Sequence, residues 1–230
     1  MDETTLVRAD ALVRTFGSGR ATVSAVAGAT FAVRPRDGIA LVGPSGSGKS
    51  TVLHLIAALD RPTGGSITWP ALGGREGLRP GPVALAFQGP SLLPPLTVLE
   101  NVALPVILAG GDENEATESV RHLLELFEVD DLAEKLPEEL SGGQAQRAAL
   151  ARAFAGSPRL VLADEPTGQQ DGVTGGRLIE AILKLAAEGE VALVIATHDP
   201  KVAERLPIRW SMNDGHLQTG TQRGTVSCSG

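Results

Sequence analysis

Cysteine is almost missing from this chain of 230 residues: Cys228, near the C-terminal end, is the single example. A lone thiol excludes an intramolecular disulfide framework and a multi-cysteine metal site, and it fits a reducing compartment. No secretory signal is expected. The opening Met1-Asp2-Glu3-Thr4 is acidic and polar, where such a signal carries a basic patch and an apolar run. No membrane span is expected either. The longest stretch without a charge, between Arg79 and Glu100, is broken by Pro80, Pro82, Pro90, Pro94 and Pro95. Any membrane link therefore has to come through a partner. Internal repeats are absent, and no basic stripe supports nucleic-acid binding as the main task.

What is present is ordinary globular composition, with 42% apolar and 20% charged residues. A chain of this length buries about 70–75% of its unfolded surface and needs no metal or disulfide staple. The net charge is −7 and is unevenly placed. Between Asp112 and Glu139 stand 11 acidic residues against Arg121 and Lys135, so this block carries −9 and the remainder about +2. A solvated helical face accounts for such a block.

Short β-like runs alternate with helical patterns, which predicts an α/β core with a mostly parallel sheet. Strands are expected at 6–14, 25–33, 38–42, 66–69, 83–87, 160–163 and 191–196. Helices are expected at 49–59, 97–108, 115–128, 144–155, 176–187 and 199–206. Thr97-x-x-Glu100 is a capping-box pattern at one helix start. The stretch 70–82, rich in Gly and Pro, reads as loop. A hairpin is expected over 208–217, turning at Asn213-Asp214-Gly215, and the small polar residues after Thr219 read as a frayed tail.

Gly43, Pro44, Ser45, Gly46, Ser47, Gly48, Lys49 and Ser50, followed by Thr51, fit the phosphate-loop pattern Gly-x4-Gly-Lys-Ser/Thr. The motif lies between an expected strand and an expected helix, the context it requires. Glycine lets the backbone turn its N–H groups inward, and the helix start adds its dipole, which makes an anion cradle. Lys49 is placed to reach the outer phosphates and Ser50 to hold Mg²⁺. The apolar strand Leu160-Val161-Leu162-Ala163 ends in Asp164 and Glu165. A strand ending beside the cradle brings Asp164 near the metal, and Glu165, where the chain begins to turn, is a candidate to polarise the attacking water. The alternatives are a glycine-rich turn and two exposed strand-end carboxylates.

A second glycine motif, Leu140-Ser141-Gly142-Gly143-Gln144, precedes a helix. Ser141 and Gln144 form a plausible capping box. The same hydroxyl, glycine N–H groups and positive helix end also suit an anion. One nucleotide hardly needs two such sites from one subunit, so each is expected to serve a nucleotide bound by a different copy.

From about Phe16 to His198 these motifs resemble the ATP-binding subunit of an ABC transporter, and Leu140 to Gln144 resemble that family's signature. The resemblance implies a P-loop NTPase core of α/β class with a mostly parallel sheet, a small antiparallel β subdomain and a helical signature subdomain. It further implies one ATP-binding domain over 1–230, with the helical part, about 89–157, inserted in a RecA-like core. Gln88 in Ala86-Phe87-Gln88 matches the Q-loop glutamine, expected to contact Mg²⁺ and the attacking water. Asp171 matches the D-loop aspartate, His198 the switch histidine, and Phe16 the aromatic that stacks on adenine; the family more often has tyrosine there, and this chain has none. Ser141, Gly142, Gly143 and Gln144 are expected to act in trans. His54, His122 and His216 match nothing. Two departures stand out: the Gly- and Pro-rich stretch from Trp69 to Pro82 is shorter than usual, and Gln169-Gln170 stand where such relatives have Asn-Leu.

The run from Gln88 to Val102 and Asp164-Glu-Pro-Thr-Gly168 are similar to the macrolide-exporter and lipoprotein-releasing branch, though amino-acid importers share much of this. The implied partners are a second copy, in a homodimer sandwiching two ATP molecules, and an integral membrane permease. The implied place is the cytoplasmic face of the membrane, held there by the permease. Leu92, Leu93 and Leu96 are expected on the surface that receives the permease, with ordinary core packing as the alternative. A regulatory ATPase that moves no substrate, a soluble ABC ATPase and a non-ABC P-loop kinase stay open as rival functions.

Overall fold

The computed structural model describes residues 4–19, 22–89 and 91–220. Cys228, the acidic start Met1-Asp2-Glu3, Pro90 and the polar tail beyond residue 220 lie outside the described residues. The strands are β1 (Val7–Phe16), β2 (Val23–Val33), β3 (Gly38–Val42), β4 (Gly64–Thr68), β5 (Val83–Ala86), β6 (Leu160–Asp164), β7 (Ala192–Thr197), β8 (Ile208–Asn213) and β9 (His216–Thr219). The α-helices are α1 (Lys49–Ile56), α2 (Val98–Leu108), α3 (Glu113–Ser119), α4 (Arg121–Leu126), α5 (Gly142–Ala155), α6 (Gly172–Glu188) and α7 (Pro200–Glu204).

The main sheet has the order β5-β6-β7-β3-β8-β9. Every neighbouring pair is parallel except the β8–β9 hairpin. Its central strands are apolar up to their carboxyl ends, as a sheet covered on both faces requires. The period of two divides each strand between two cores. Ile39 and Leu41, Leu160 and Leu162, and Val194 and Ala196 face a cluster shared with α1, β1 and β2. Ala40 and Val42, Val161 and Ala163, and Leu193 and Ile195 face the cluster built by the helices. A smaller antiparallel sheet, β2-β1-β4, covers the first side. Helices α2 to α5 fall in the chain between β5 and β6.

Some element boundaries differ from the sequence reading, each for a local reason. The helix expected over 115–128 is two helices meeting at Val120. Thr117 Oγ1 donates to the Glu113 and Asn114 carbonyls, and Ser119 Oγ to that of Ala116 at 2.8 Å. Hydroxyls that bond back to the preceding turn bend or interrupt a helix. The helix expected over 49–59 ends at Ile56, whose carbonyl accepts the Trp69 indole N–H at 2.8 Å. The strand expected over 66–69 stops at Thr68, and Trp69 turns inward at 6% exposure ahead of a 3₁₀ turn, Pro70–Leu72. Leu92 is buried in the helical core, because residue 92 turns inward where Leu93 turns out, so it is no part of an open surface.

Asn101, on α2, is the polar centre of that helical region and is fully buried. Its Oδ1 accepts from Leu93 N at 2.7 Å, and its Nδ2 donates to the carbonyls of Leu93, Leu96 and Thr97 at 2.9–3.1 Å. One carboxamide thus holds the whole loop before α2, and Thr97 with Glu100 closes the capping box there. Asn101→Ala removes the side-chain partner of the Leu93 N–H and of the Leu96 carbonyl, each worth about 1–3 kcal/mol. We expect it to lower the melting temperature by about 5–10 °C in calorimetry, and Asn101→Asp, which loses the donors, to be no better than Ala.

Candidate functional site

The parallel strands deliver the candidate residues to one edge. Register pairs Val42 with Thr197, Ala86 with Ala163, and Asp164 with Ala196. Gly43, Glu165 and His198 directly follow the ends of β3, β6 and β7, and Gln88 comes two residues after the end of β5, so four strands deliver candidate positions to the carboxyl edge, where α/β sheets bind ligands.

Residues 43–48 turn from β3 into α1, and the turn is tight against its surroundings. A Cβ on Gly43 would lie 2.2 Å from the Met212 carbonyl oxygen. Gly48, with φ +107°, would place one 2.1 Å from the Ala25 oxygen. The β8–β9 turn braces the loop: Gly215 N donates to the Ser47 carbonyl, and Ala27 N to that of Gly215. Pro44, Ser45 and Gly46 are exposed, whereas Lys49 and Ser47 are buried. The first N–H groups of α1 have no intrahelical partner, as at any helix start, and they face the mouth of the turn with the positive dipole end. Lys49 Nζ donates to the Gly43 and Pro44 carbonyls at 2.8 and 3.1 Å.

The acid pair splits. Asp164 ends β6, and burial pushes its carboxyl above the usual range. A hydrogen bond from Ser50 pulls the other way, the Glu165 charge raises it further, and His54 and Lys49 lower it. Its Oδ1 is buried without a hydrogen-bond partner. Glu165 leaves the strand in a left-handed conformation, φ +48°, and is only 6% exposed. Its Oε1 lies 3.8 Å from Lys49 Nζ and its Oε2 2.9 Å from His198 Nδ1. With its proton on Nδ1, His198 donates to that oxygen. The strained backbone is held by Glu165 N donating to the Ala196 carbonyl and by the Glu165 carbonyl accepting from Gly168 N and Gln146 Nε2.

The remaining residues stand further out. Gln88 is exposed at the same edge. Phe16 is 43% exposed at the end of β1, with the Arg14 guanidinium 4.3 Å from its ring centroid. Ser141 caps α5 with a full capping box, its Oγ accepting from Gln144 N and its N donating to Gln144 Oε1. Ser141 and Gly142 are exposed. Apart from the backbone bonds within α5, the hydrogen bonds that residues 141–144 make are with one another and with Gln170 and Ala145, not with residues 43–51. The arrangement therefore brings the cradle, Asp164, Glu165 and His198 together and leaves the signature turn apart. Asp171 caps α6, accepting from Val173 N, Thr174 N and Thr174 Oγ1.

Sequence reasoning missed Gln146, Asn101 and the bracing turn at Gly215. Gln146 had a signal: it is a polar residue on the buried stripe of α5 that continues through Ala149, Leu150 and Ala153. His54, given no role from sequence, contributes to the charge environment of Asp164 and packs 5.9 Å from the Phe87 ring.

Residues 26–168 match the family described as ABC transporter. The lipoprotein-releasing system ATP-binding protein LolD of Legionella pneumophila (strain Lens) is 40% identical over 213 residues, covering 90% of this chain and 94% of that protein. An uncharacterized ABC transporter ATP-binding protein of Thermotoga maritima is 40% identical over 218 residues, covering 90% and 92%. Among solved structures, the ATP-binding cassette MJ0796, in a dimeric post-hydrolysis state bound to ADP and Pi, superposes with a TM-score of 0.89 at 32% identity over 95% of this chain and all of that one.

The N–H donors and the Thr174 hydroxyl hold the Asp171 carboxyl below its usual range. A depressed folded value means that the cap's charge contributes stability above the ordinary 3.8 and loses it as pH falls through the folded value. Asp171→Asn, which still caps but carries no charge, is expected to melt slightly below the wild type at pH 7 and to lose that acid dependence. Asp171→Ala is expected to melt lower at pH 7; equal melting of the Ala variant would refute the cap.

Proposed function

We propose a transport role from one premise: this chain belongs to the ABC transporter family and is an ATP-binding, ATP-hydrolysing subunit of that kind. Two copies close head to tail around two ATP molecules, each held by residues 43–51 of one copy and residues 141–144 of the other. The observation that supports this most is the exposed signature turn, whose hydrogen bonds avoid its own cradle. In this reading a second molecule brings the two anion sites onto one triphosphate. A solved relative, the bacterial ABC transporter cassette MJ0796, is dimeric.

Within each site, Lys49 and the loop N–H groups bind the β- and γ-phosphates, and Phe16 stacks on the adenine. Glu165 takes a proton from the attacking water, with His198 holding the carboxylate in place. The chemistry of Asp164 fits a divalent cation: a buried acid with one orphaned oxygen, bonded to the phosphate-loop hydroxyl of Ser50. Ser50, Asp164 and Gln88 would hold Mg²⁺, which when bound neutralises phosphate charge.

None of the helices in the described residues is long and apolar enough to cross a membrane. A permease supplies the membrane part, and the chain works at the cytoplasmic face, held there by that permease. A groove of about 480 Å³, lined by Leu85, Leu93, Leu104 and Leu108 together with Arg79 and Arg152, suits a docking helix. The likeness to LolD points to a lipoprotein-releasing type of system, in which ATP-driven closure passes to the permease through the segment from Gln88 to Leu96.

Glu165→Gln should bind ATP, lose turnover by about 10²–10⁴-fold and accumulate as an ATP-bound dimer in light scattering. Wild-type turnover would remove Glu165 as the base. Lys49→Ala should abolish ATP binding in calorimetry. Leu93→Asp should leave ATP binding intact yet reduce copurification with a membrane permease; undiminished copurification would move the docking site elsewhere.

A further inference from the structure

Helix α5 is fastened at two points to the loop that carries Glu165 and Asp171. Gln146 Nε2 donates to the Glu165 carbonyl at 2.8 Å. Three residues earlier, the Gly143 carbonyl accepts from Gln170 Nε2, also at 2.8 Å. The other end of that carboxamide, Oε1, accepts from Arg147 Nη1 at 3.2 Å, and Arg147 Nη2 donates to the Glu128 carbonyl. Gln170 is half-buried, so both ends of its side chain are engaged with the first two turns of α5. The glycines close the fit. A Cβ on Gly142 would lie 2.0 Å from Gln169 Oε1, and one on Gly143 2.9 Å from the Gln169 carbonyl oxygen and 3.1 Å from Gln170 Oε1.

A leucine at 170 would have neither donor nor acceptor for these partners. We propose that Gln170 is a positioning residue that fixes the signature turn to the loop bearing the same subunit's Glu165 and Asp171. Resting on the head-to-tail reading above, it follows that the turn offered to the partner's nucleotide is held in register with the subunit's own catalytic loop. Loosening Gln170 then weakens nucleotide-driven closure without touching the cradle.

The test uses the full chain and two variants. Gln170→Leu keeps the bulk and loses both hydrogen bonds; Gln170→Glu sets a carboxylate against the Gly143 carbonyl. Hydrogen exchange without nucleotide should quicken by about ten-fold over residues 141–147 in Gln170→Leu, and more in Gln170→Glu, with other segments unchanged. In the Glu165→Gln background, Gln170→Leu should raise the ATP concentration for half-maximal dimerisation by about ten-fold. ATP affinity of the monomer should hold, and the melting temperature should fall by only a few degrees. Wild-type exchange over 141–147, uniform quickening throughout the chain, or an unchanged ATP requirement for dimerisation each overturns the proposal. If Glu165→Gln itself stays monomeric with ATP, the head-to-tail reading fails, and the exchange result alone decides whether Gln170 anchors the turn.

Discussion

A carboxylate taken out of water must find compensation, and at Glu165 the rest of the site is arranged around that demand. An unpaired buried charge is far too costly to persist, so it needs a cation and hydrogen bonds. Lys49 supplies the cation from the helix after β3, and His198 supplies a ring nitrogen from the end of β7. Neither is near Glu165 in sequence. The order β6-β7-β3 makes these three strands neighbours, so the sheet topology is what places acid, base and ammonium within reach. The left-handed backbone at Glu165 then aims the side chain back over the edge instead of along the strand, at a conformational cost that the Ala196, Gly168 and Gln146 hydrogen bonds offset.

The same edge gives two adjacent carboxylates different surroundings. Asp164 is still in the strand, paired with Ala196, and bonded to Ser50. Glu165 has already left it. A one-residue step along the chain thus separates a strand-end acid bonded to a hydroxyl from an acid set between an ammonium and an imidazole. Environment, not residue type, makes the division.

Much of this was legible beforehand because the signals were local. Residues 38–42 are an unbroken apolar run followed by glycine, and the strand has those bounds. Thr97 and Glu100, or Ser141 and Gln144, sit three apart, and both pairs close as capping boxes. What escaped depended on contacts across the fold. Gln146 touches Glu165 from 19 positions away and Gln170 touches Gly143 from 27; no window of sequence holds both partners. Gly215 looks like any hairpin turn until the loop at Ser47 packs against it. The break at Val120 was hidden for another reason: the apolar period runs through it, while the hydroxyls of Thr117 and Ser119 work against it. Leu92 and Leu93 are equal in sequence, and only packing tells the buried one from the exposed one.

The signature serine shows why a structural and a chemical role need not compete. As a cap, Ser141 uses its oxygen as an acceptor, taking the Gln144 N–H at 3.3 Å. A hydroxyl has one donor and two acceptor positions, so capping leaves the O–H free to donate. Its backbone N–H is engaged by Gln144 Oε1 at 2.8 Å, which fixes the turn without consuming that donor. The helix start behind it contributes its positive end whether or not an anion is present. The cap thus leaves a hydroxyl donor on a turn already fixed by two hydrogen bonds. Binding there orders little that is not already ordered, and pre-organisation of this kind is what lets a few exposed groups hold a ligand against the entropy of association.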